Sequence, residues 1–176
     1  MPIRALLMDI DDTLFDFQTS SRNALSIAFR AFGLPFTPEM WERYRALDAE
    51  LWQRFERGEI TKEALYVERF RVFFAEYGLE ADPAAFNAAY FRELGDQCNF
   101  MPHCEQALRQ LHAQYKIFIV TNGNTEIQTR RIAAAAWRSI LTACSSPSRW
   151  AARSLTSCFM TRFSPRSART TARSPS

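Results

Sequence analysis

The sequence predicts an α/β fold, with an incomplete parallel-sheet core that is interrupted after its first strand by an inserted cap of four helices. Two short apolar runs, Ile3 to Met8 and Tyr115 to Val120, have the pattern of buried strands. The long segment between them carries helical periodicity instead. The order of strand, helical insertion, helix, strand and helix is therefore that of an α/β core split by a cap.

Capping signals divide the insertion into four helices. Each segment starts near a Ser, Thr, Asp or Pro and ends at or close to a glycine, as helix termini commonly do. We predict these helices over residues 20–32, 38–57, 61–78 and 82–95. Core helices over residues 105–114 and about 124–135 flank the second strand. The predicted organisation is a partial core at 1–15 and 100–136, a cap at 16–99 and a tail at 137–176.

The size of the chain, 176 residues and 20.3 kDa, suffices for one core with an inserted cap, and its 15 Phe favour a packed interior. It carries no apolar run long enough to span a membrane and no secretory signal pattern, so we expect a cytoplasmic protein without a membrane partner. The four cysteines show no metal-ligand spacing, which favours reduced thiols. No oligomeric state is predicted.

Charge is divided unevenly along the chain. All 19 acidic residues and 13 of the 22 basic ones lie at or before Glu126, which gives this part a net charge of −6. From Ile127 onward there are nine Arg and no Lys, Asp or Glu. Such a tail could bind nucleic acid through phosphate contacts. Its Arg residues are scattered and no aromatic stacking pattern accompanies them, however, so a nucleic-acid partner is not expected.

The strongest functional signal is a pair of carboxylates directly after the first strand. Asp9 and Asp11 are two residues apart, so in an extended chain both side chains point the same way at the carboxyl edge of the sheet. A cation that prefers oxygen ligands, such as Mg²⁺, would hold both carboxylates and a phosphate together. Asp9 is then the candidate nucleophile, forming an aspartyl-phosphate, and Asp11 the candidate general acid and base, which Thr13 can orient. We expect Asp12 to be a solvated or capping residue of the same turn.

Two motifs carry a resemblance to a known family. Asp9 to Leu14 resembles the first motif of the haloacid dehalogenase superfamily, D-x-D-x-T-[LV] behind an apolar strand. Ile117 to Gly123 resembles its second motif, which implies that Thr121 and Asn122 bind the transferring phosphoryl group. The resemblance covers residues 1 to about 136 and implies a Rossmann-like core of the haloacid dehalogenase type.

Three segments most resemble the pyrimidine 5'-nucleotidase branch of this superfamily, namely Asp9 to Phe17, Leu47 to Thr61 and Ile117 to Arg131. This resemblance implies a Mg²⁺-dependent hydrolase of small phosphorylated metabolites, with nucleoside 5'-monophosphates as substrates and the cap selecting the base. Phosphoglycolate-type phosphatases and haloacid dehalogenases share the first loop and stay as alternatives.

Aromatic side chains near the acidic loop could stack on a base. Phe15 and Phe17 directly follow that loop, and we predict that both face the substrate cleft. The other aromatic residues of the cap lie at helical spacing and are expected mainly to pack. Arg45 or Arg54 could reach the phosphate or the sugar.

The chain departs from the family pattern after position 136. The resemblance implies a third-motif Lys and a fourth, acidic motif, but the last Lys is Lys116 and the last acidic residue is Glu126. We therefore expect little or no turnover, and a metal-dependent phosphate binder without hydrolysis is a further alternative. The loss of one base at codon 136 would explain the departure, because GGC CTG GAG would become GCC TGG AG and encode Ala136, Trp137 and Arg138. The tail that follows is expected to be disordered.

Overall fold

The computed structural model describes residues 3–137 and 140–141, together with the backbone of residues 143–145. Its elements, in chain order, are β1 (Ala5–Met8), α1 (Phe17–Ala31), α2 (Pro38–Glu56), α3 (Lys62–Tyr77), α4 (Pro83–Gly95), α5 (Cys104–His112), β2 (Lys116–Val120), α6 (Thr125–Ala134) and β3 (Ala143–Ser145). None of the helices in this part of the chain is long and apolar enough to cross a membrane.

The three strands form one parallel sheet in the order β1, β2, β3. Met8 pairs with Ile119, and Val120 pairs with Ser145. Parallel strands end at the same edge of a sheet. Asp9, which follows β1, and Thr121, which follows β2, therefore lie next to each other at that edge. The predicted α/β fold is confirmed, and β3 adds a strand to the two that the sequence predicts.

Four helices, α1 to α4, separate β1 from the rest of the core, as predicted. Local signals account for their starts, because the N-cap side chain of each helix accepts a hydrogen bond from a backbone N–H of the first turn. The four N-cap residues are Asp16, Thr37, Thr61 and Asp82. α1 begins earlier than predicted because Asp16, rather than a residue near Ser20, is its cap and accepts from the Thr19 N–H at 2.8 Å.

Two apolar clusters hold the molecule together. The larger one lies among α1 to α4 and is rich in aromatic rings, such as Phe29 and Phe86, whose centroids are 4.7 Å apart in an edge-to-face arrangement. Each fully buried ring contributes about 1.5–3 kcal/mol by leaving water. Ile127 of α6 belongs to this cluster, which ties the cap to the core. The second cluster packs against the sheet and includes Ile117 and Ile119.

Packed residues continue past the predicted end of the core at 136. Trp137 is buried, and its ring stacks on Phe15 at 4.8 Å and on Phe100 at 5.1 Å. Ile140 joins the same cluster, and β3 follows it. Residues 146–176, most of the segment predicted as a disordered tail, lie outside the described residues.

Candidate active site

A cavity of about 210 Å³ lies between the carboxyl edge of the sheet and the cap. The loops after β1 and β2 form one side of it, and residues of α1 to α4 form the other. Five of the six side chains predicted for the site line this cavity, namely Asp9, Asp11, Phe17, Thr121 and Asn122. The fold thus brings together residues that are more than a hundred positions apart in the chain.

Asp9 and Thr121 are the residues nearest to their strand ends. Asp9 directly follows β1 and is exposed at the cavity. Thr121 is buried, and its hydroxyl oxygen accepts a hydrogen bond from the Gly123 N–H at 3.0 Å. Because this bond uses the oxygen as acceptor, the hydroxyl hydrogen stays available to donate to a ligand. A carboxylate and a hydroxyl donor therefore lie at one edge of the sheet and line the same cavity.

Asp11 is held by two side chains of α6. Its carboxylate accepts from Arg131 Nη1 and from Gln128 Nε2, each at 2.5 Å. Arg131 is fully buried and also donates to the Gln97 carbonyl at 3.1 Å, so its guanidinium cannot move away freely. Thr13, the residue expected to orient Asp11, is exposed instead. Sequence reasoning missed both partners, although their spacing of three residues places them on one face of α6.

The environment of Asp11 pulls its pKa in two directions. Burial raises the pKa of Asp11 above its ordinary value, because the carboxylate loses water. The Arg131 guanidinium and the Gln128 amide oppose this by stabilising the charged form, and burial prevails. A carboxyl group with a raised pKa is better able to carry a proton, which suits the general acid role.

Asp12 turns away from the cavity. Its backbone adopts the left-handed conformation, with φ 55°, and its carboxylate accepts from the Phe17 N–H at 3.0 Å and from Gln18 Nε2 at 3.1 Å. Asp12 therefore fastens the start of α1, in agreement with its prediction as a capping residue. Unlike Asp9 and Asp11, it does not line the cavity.

Phe15 does not face the cleft, contrary to expectation. The N–H groups of Leu14 and Phe15 both donate to the Ile10 carbonyl at 2.9 Å, and this tight turn carries the Phe15 ring into the core, where it is fully buried. The Arg131 guanidinium lies 4.5 Å above that ring. Phe15 thus supports the arginine that holds Asp11, whereas Phe17 lines the cavity.

Arg69 is the cation in the cap wall of the cavity, a position that the sequence analysis gave to Arg45 or Arg54. It is buried, pairs with Asp48 at 3.1 Å and donates to Asn87 at 2.9 Å. Arg45 pairs with Glu42 and Arg54 with Glu59 instead. The rings around the Arg69 guanidinium, at 4.9–5.5 Å from its carbon, belong to Tyr66, Phe70, Tyr90 and Phe91.

Two polar atoms in this wall lack a partner. Within the described residues, neither Arg69 Nε nor the Tyr66 hydroxyl has a hydrogen-bond partner, and both atoms are buried. Burial raises the pKa of Tyr66 to about 12, so the hydroxyl stays neutral at physiological pH. A buried donor without a partner costs about 1–3 kcal/mol, and a ligand with a suitable acceptor would recover it.

Gly123 allows the loop after β2 to approach Gln128 closely. A Cβ atom at this position would lie 2.5 Å from Gln128 Nε2 and 3.2 Å from Thr121 Oγ1. Any larger residue would therefore push the amide that bonds Asp11. Space, rather than a special φ, therefore favours glycine at this position of the second motif.

The donor set fits a magnesium ion that is shared with a phosphate ligand. Among the described residues, no group of three or more His, Cys, Asp or Glu side chains could hold a metal. Asp9 and Asp11 offer two carboxylates, and Mg²⁺ is commonly bound by one or two carboxylates with waters and substrate phosphate oxygens completing its octahedron. Asp11 is already paired with Arg131, which leaves Asp9 as the more available ligand.

Comparison with known proteins agrees with this geometry. The family model described as haloacid dehalogenase-like hydrolase matches residues 3–148. YfnB of Bacillus subtilis (strain 168), named as a HAD-hydrolase, is 34% identical over 129 residues, which are 73% of this chain and 55% of that protein. The pyrimidine 5'-nucleotidase YjjG of Escherichia coli (strain K12) is 31% identical over 127 residues, 72% of this chain and 55% of YjjG. The chain thus spans about half the length of the curated relatives it matches.

Solved structures share the fold. A crystal structure of YfnB bound to magnesium superimposes with a TM-score of 0.81 and 29% sequence identity, covering 86% of this chain and 68% of that one. The L-2-haloacid dehalogenase PA0810 gives a TM-score of 0.66 at 20% identity, with 85% of this chain and 64% of that chain covered. The second likeness concerns the fold alone.

Proposed function

This chain belongs to the haloacid dehalogenase-like hydrolase family, and from that membership we propose that its cleft serves the Mg²⁺-dependent hydrolysis of a phosphomonoester through an aspartyl-phosphate. One observation carries the proposal. The Asp9 carboxylate and the Thr121 hydroxyl lie at the carboxyl ends of neighbouring parallel strands, and Asp11 is two residues beyond Asp9. Carboxylate, hydroxyl and acid are three of the groups that such a reaction requires.

The proposed roles follow from position. Asp9 attacks phosphorus, and the bond between phosphorus and the ester oxygen breaks as the aspartyl-phosphate forms. Asp11 gives its proton to the departing oxygen and then takes a proton from the water that attacks the aspartyl-phosphate. Thr121 and Asn122 donate hydrogen bonds to the phosphoryl oxygens. A bound Mg²⁺ ion would supply the positive charge that lets a carboxylate approach a phosphate.

The proposed substrate is a nucleoside 5'-monophosphate with a pyrimidine base. The relatives YjjG and PynA of Streptococcus pneumoniae, the latter 30% identical over 129 residues, are both named as pyrimidine 5'-nucleotidases. The cavity of about 210 Å³ described above is the site proposed for this substrate. Its wall offers rings for stacking and two unpartnered polar atoms, Arg69 Nε and the Tyr66 hydroxyl, for a base carbonyl.

A second candidate function is metal-dependent phosphate binding without turnover. No Lys follows Lys116 and no carboxylate side chain follows Glu126 in the sequence, so groups that the family resemblance implies for catalysis are missing from this chain. The loss of one preorganised stabiliser commonly costs about 100-fold to 1,000-fold in rate. The substrate cleft described above would survive that loss.

The two candidates are separated by measuring phosphate release from uridine 5'-monophosphate with Mg²⁺, alongside calorimetric binding of inorganic phosphate. Asp9→Asn should remove either signal, and Asp12→Asn, which alters the neighbouring carboxylate that faces away, should keep it. Hydrolysis lost only in Asp9→Asn supports the enzyme. Mg²⁺-dependent phosphate binding without hydrolysis supports the second function, and the absence of both signals contradicts both.

The proposed setting is the cytoplasm, where the substrate class occurs and thiols stay reduced. Cys98 and Cys104 carry free thiols. Cys98 donates to the Arg131 carbonyl at 3.4 Å and so takes part in packing. These thiols support a reducing environment.

A further inference from the structure

Lys62 links the cap to the loop that carries Thr121 and Asn122. It is the first residue of α3, and its Nζ donates to the Gly123 carbonyl at 3.2 Å. The Thr61 hydroxyl fixes this end of the helix by accepting from the Ala64 N–H at 3.1 Å. The lysine is therefore placed at the loop by a well-capped helix end rather than by a flexible connection.

Lys62 forms no ion pair within the part of the chain that the structure describes, unlike the arginines next to the cleft. Arg69 pairs with Asp48, and Arg131 pairs with Asp11. The Lys62 ammonium contacts a neutral carbonyl and lies 6.0 Å from the centre of the Phe55 ring. Partial burial lowers the pKa of Lys62, and the Glu63 carboxylate opposes this only in part.

The ammonium contacts the loop that is proposed to bind the phosphate, and Gly123 of that loop lines the cavity. Gly123 is two residues beyond Thr121, and the Gly123 N–H contacts the Thr121 hydroxyl at 3.0 Å, so the carbonyl that Lys62 contacts belongs to the same short loop. Lysine carries its charge on a flexible four-carbon stem. A hydrogen bond from an ammonium to a phosphoryl oxygen is roughly twice as strong as one between neutral groups.

We propose that Lys62 is a phosphate-binding residue contributed by the cap, which exchanges the Gly123 carbonyl for a phosphoryl oxygen when the cleft is filled. The inference rests on the proposed function and adds the cation that balances the dianionic ligand beside Asp9. The same exchange draws α3 towards the loop after β2, so an occupied phosphate site also fastens the cap to the core.

The chain contains only two lysines, which makes the test specific. Binding of inorganic phosphate with Mg²⁺ is measured by calorimetry for the full chain and for Lys62→Met, Lys62→Arg and Lys116→Met. Lys116 starts β2 and thus lies at the opposite edge of the sheet from Thr121. We expect Lys62→Met to weaken binding about 10-fold to 100-fold, as for the loss of a hydrogen bond to a charged group. Lys62→Arg should retain most of the affinity, and Lys116→Met should bind within about twofold of the unchanged chain.

A second measurement does not depend on the folding of a variant. The amines of the unchanged chain are acetylated with and without phosphate and Mg²⁺, and each lysine is quantified by peptide mapping. Phosphate should protect Lys62 and leave Lys116 unaffected. Equal labelling of Lys62 in both conditions, or unchanged affinity in Lys62→Met, overturns the role of Lys62 while leaving the proposed function intact. An unchanged chain that binds no phosphate overturns both.

Discussion

Asp11 owes its position to a buried arginine that lies 120 residues further along the chain. Arg131 contacts the carboxylate, the Gln97 carbonyl and the Phe15 ring at once, so its guanidinium is fixed on several sides. Removing one partner of a buried ion pair leaves an uncompensated charge. The arginine is therefore required for stability as well as for the geometry of the site.

Arg131→Met should lower the free energy of unfolding by about 3 kcal/mol, the low end of the range for buried pairs, because Asp11 keeps 26% of its side chain exposed. Urea unfolding measures the change. Combining Arg131→Met with Asp11→Asn should recover part of the lost stability, since the unpaired charge of Asp11 is then removed. Arg43→Met, which breaks the exposed pair with Glu76, should cost less than about 1 kcal/mol. Equal losses from both arginines would contradict the structural role of Arg131.

The positions of several side chains of the site could not be predicted from the sequence. The D-x-D-x-T pattern and the apolar strand before it suffice for Asp9 and Asp11, because both signals are local. Arg131, Gln128 and Arg69 become site residues only through contacts between distant segments. Phe15 was predicted to line the cleft but does not, since a tight turn after Ile10 directs its ring into the core.

Helix starts are the elements that the sequence predicts best, because a single side chain caps each one. The start of α1 is the exception: its cap is Asp16, which lies before the predicted start at residue 20 and accepts from both the backbone N–H and the hydroxyl of Thr19. These two bonds lower the pKa of Asp16 below its ordinary value of 3.8, the hydroxyl bond contributing most. A carboxyl with a depressed folded pKa stabilises above its unfolded pKa and loses that contribution as the pH falls through the folded one.

Asp16→Ala should therefore destabilise the chain by about 1 kcal/mol at pH 7, the usual cost of losing an N-cap. The difference from the unchanged chain should shrink as the pH falls below about 3.8, because Asp16 is then progressively protonated. Urea unfolding at a series of pH values measures both. Glu50→Ala, an exposed carboxylate within α2, should show little effect at any pH. A cost for Asp16→Ala that is constant down to pH 2 would contradict the capping role.

The end of α6 departs from the usual pattern. Ala136 follows the helix in the left-handed conformation, with φ 57°, a position that glycine normally takes. The next residue, Trp137, is buried with its indole N–H unpartnered among the described residues. The hypothesis of a lost base at codon 136 gives Gly and Leu at these two positions, which would remove both features. Sequencing the gene across this codon tests the hypothesis.

Ala136→Gly should raise the free energy of unfolding by about 0.5–1 kcal/mol, because glycine relieves the strain of the left-handed conformation. The greater conformational entropy of glycine in the unfolded chain offsets part of this gain. Ala134→Gly, two residues earlier at the last residue of α6, should lower the free energy of unfolding, by no more than about 1 kcal/mol. Thermal and urea unfolding of the pair give the comparison. If both substitutions destabilise equally, residue 136 is not left-handed in solution.

At the scale of the whole molecule, the cleft exists because the cap and the core share a boundary. Ile127 packs into the aromatic cluster of the cap, Lys62 reaches from the cap to Gly123, and the cavity opens between them. Helical periodicity and capping predicted the inserted cap, and apolar runs predicted the first two strands. β3 escaped prediction because its residues carry no strand pattern, and only their pairing with β2 reveals them.

The length of the chain and the size of its sheet limit the activity that we expect of it. It spans about half the length of the curated relatives it matches, and the described sheet has three strands. Asp9 and Thr121 follow the first two strands that the sequence predicts, so the nucleophile and the hydroxyl donor proposed for the first chemical step are present. The Lys that the family resemblance implies is missing. We accordingly expect this chain to retain phosphoryl transfer to Asp9 although its turnover is slow.

The most direct test of the account is to locate the phosphorylated residue. The chain is incubated with acetyl phosphate and Mg²⁺, denatured, and treated with borohydride, which reduces an aspartyl-phosphate to homoserine that mass spectrometry can place in the sequence. The account predicts homoserine at position 9 in the unchanged chain and in Asp12→Asn, and none in Asp9→Asn. Homoserine at position 11 or 12, or unmodified Asp9 in the unchanged chain, would contradict it.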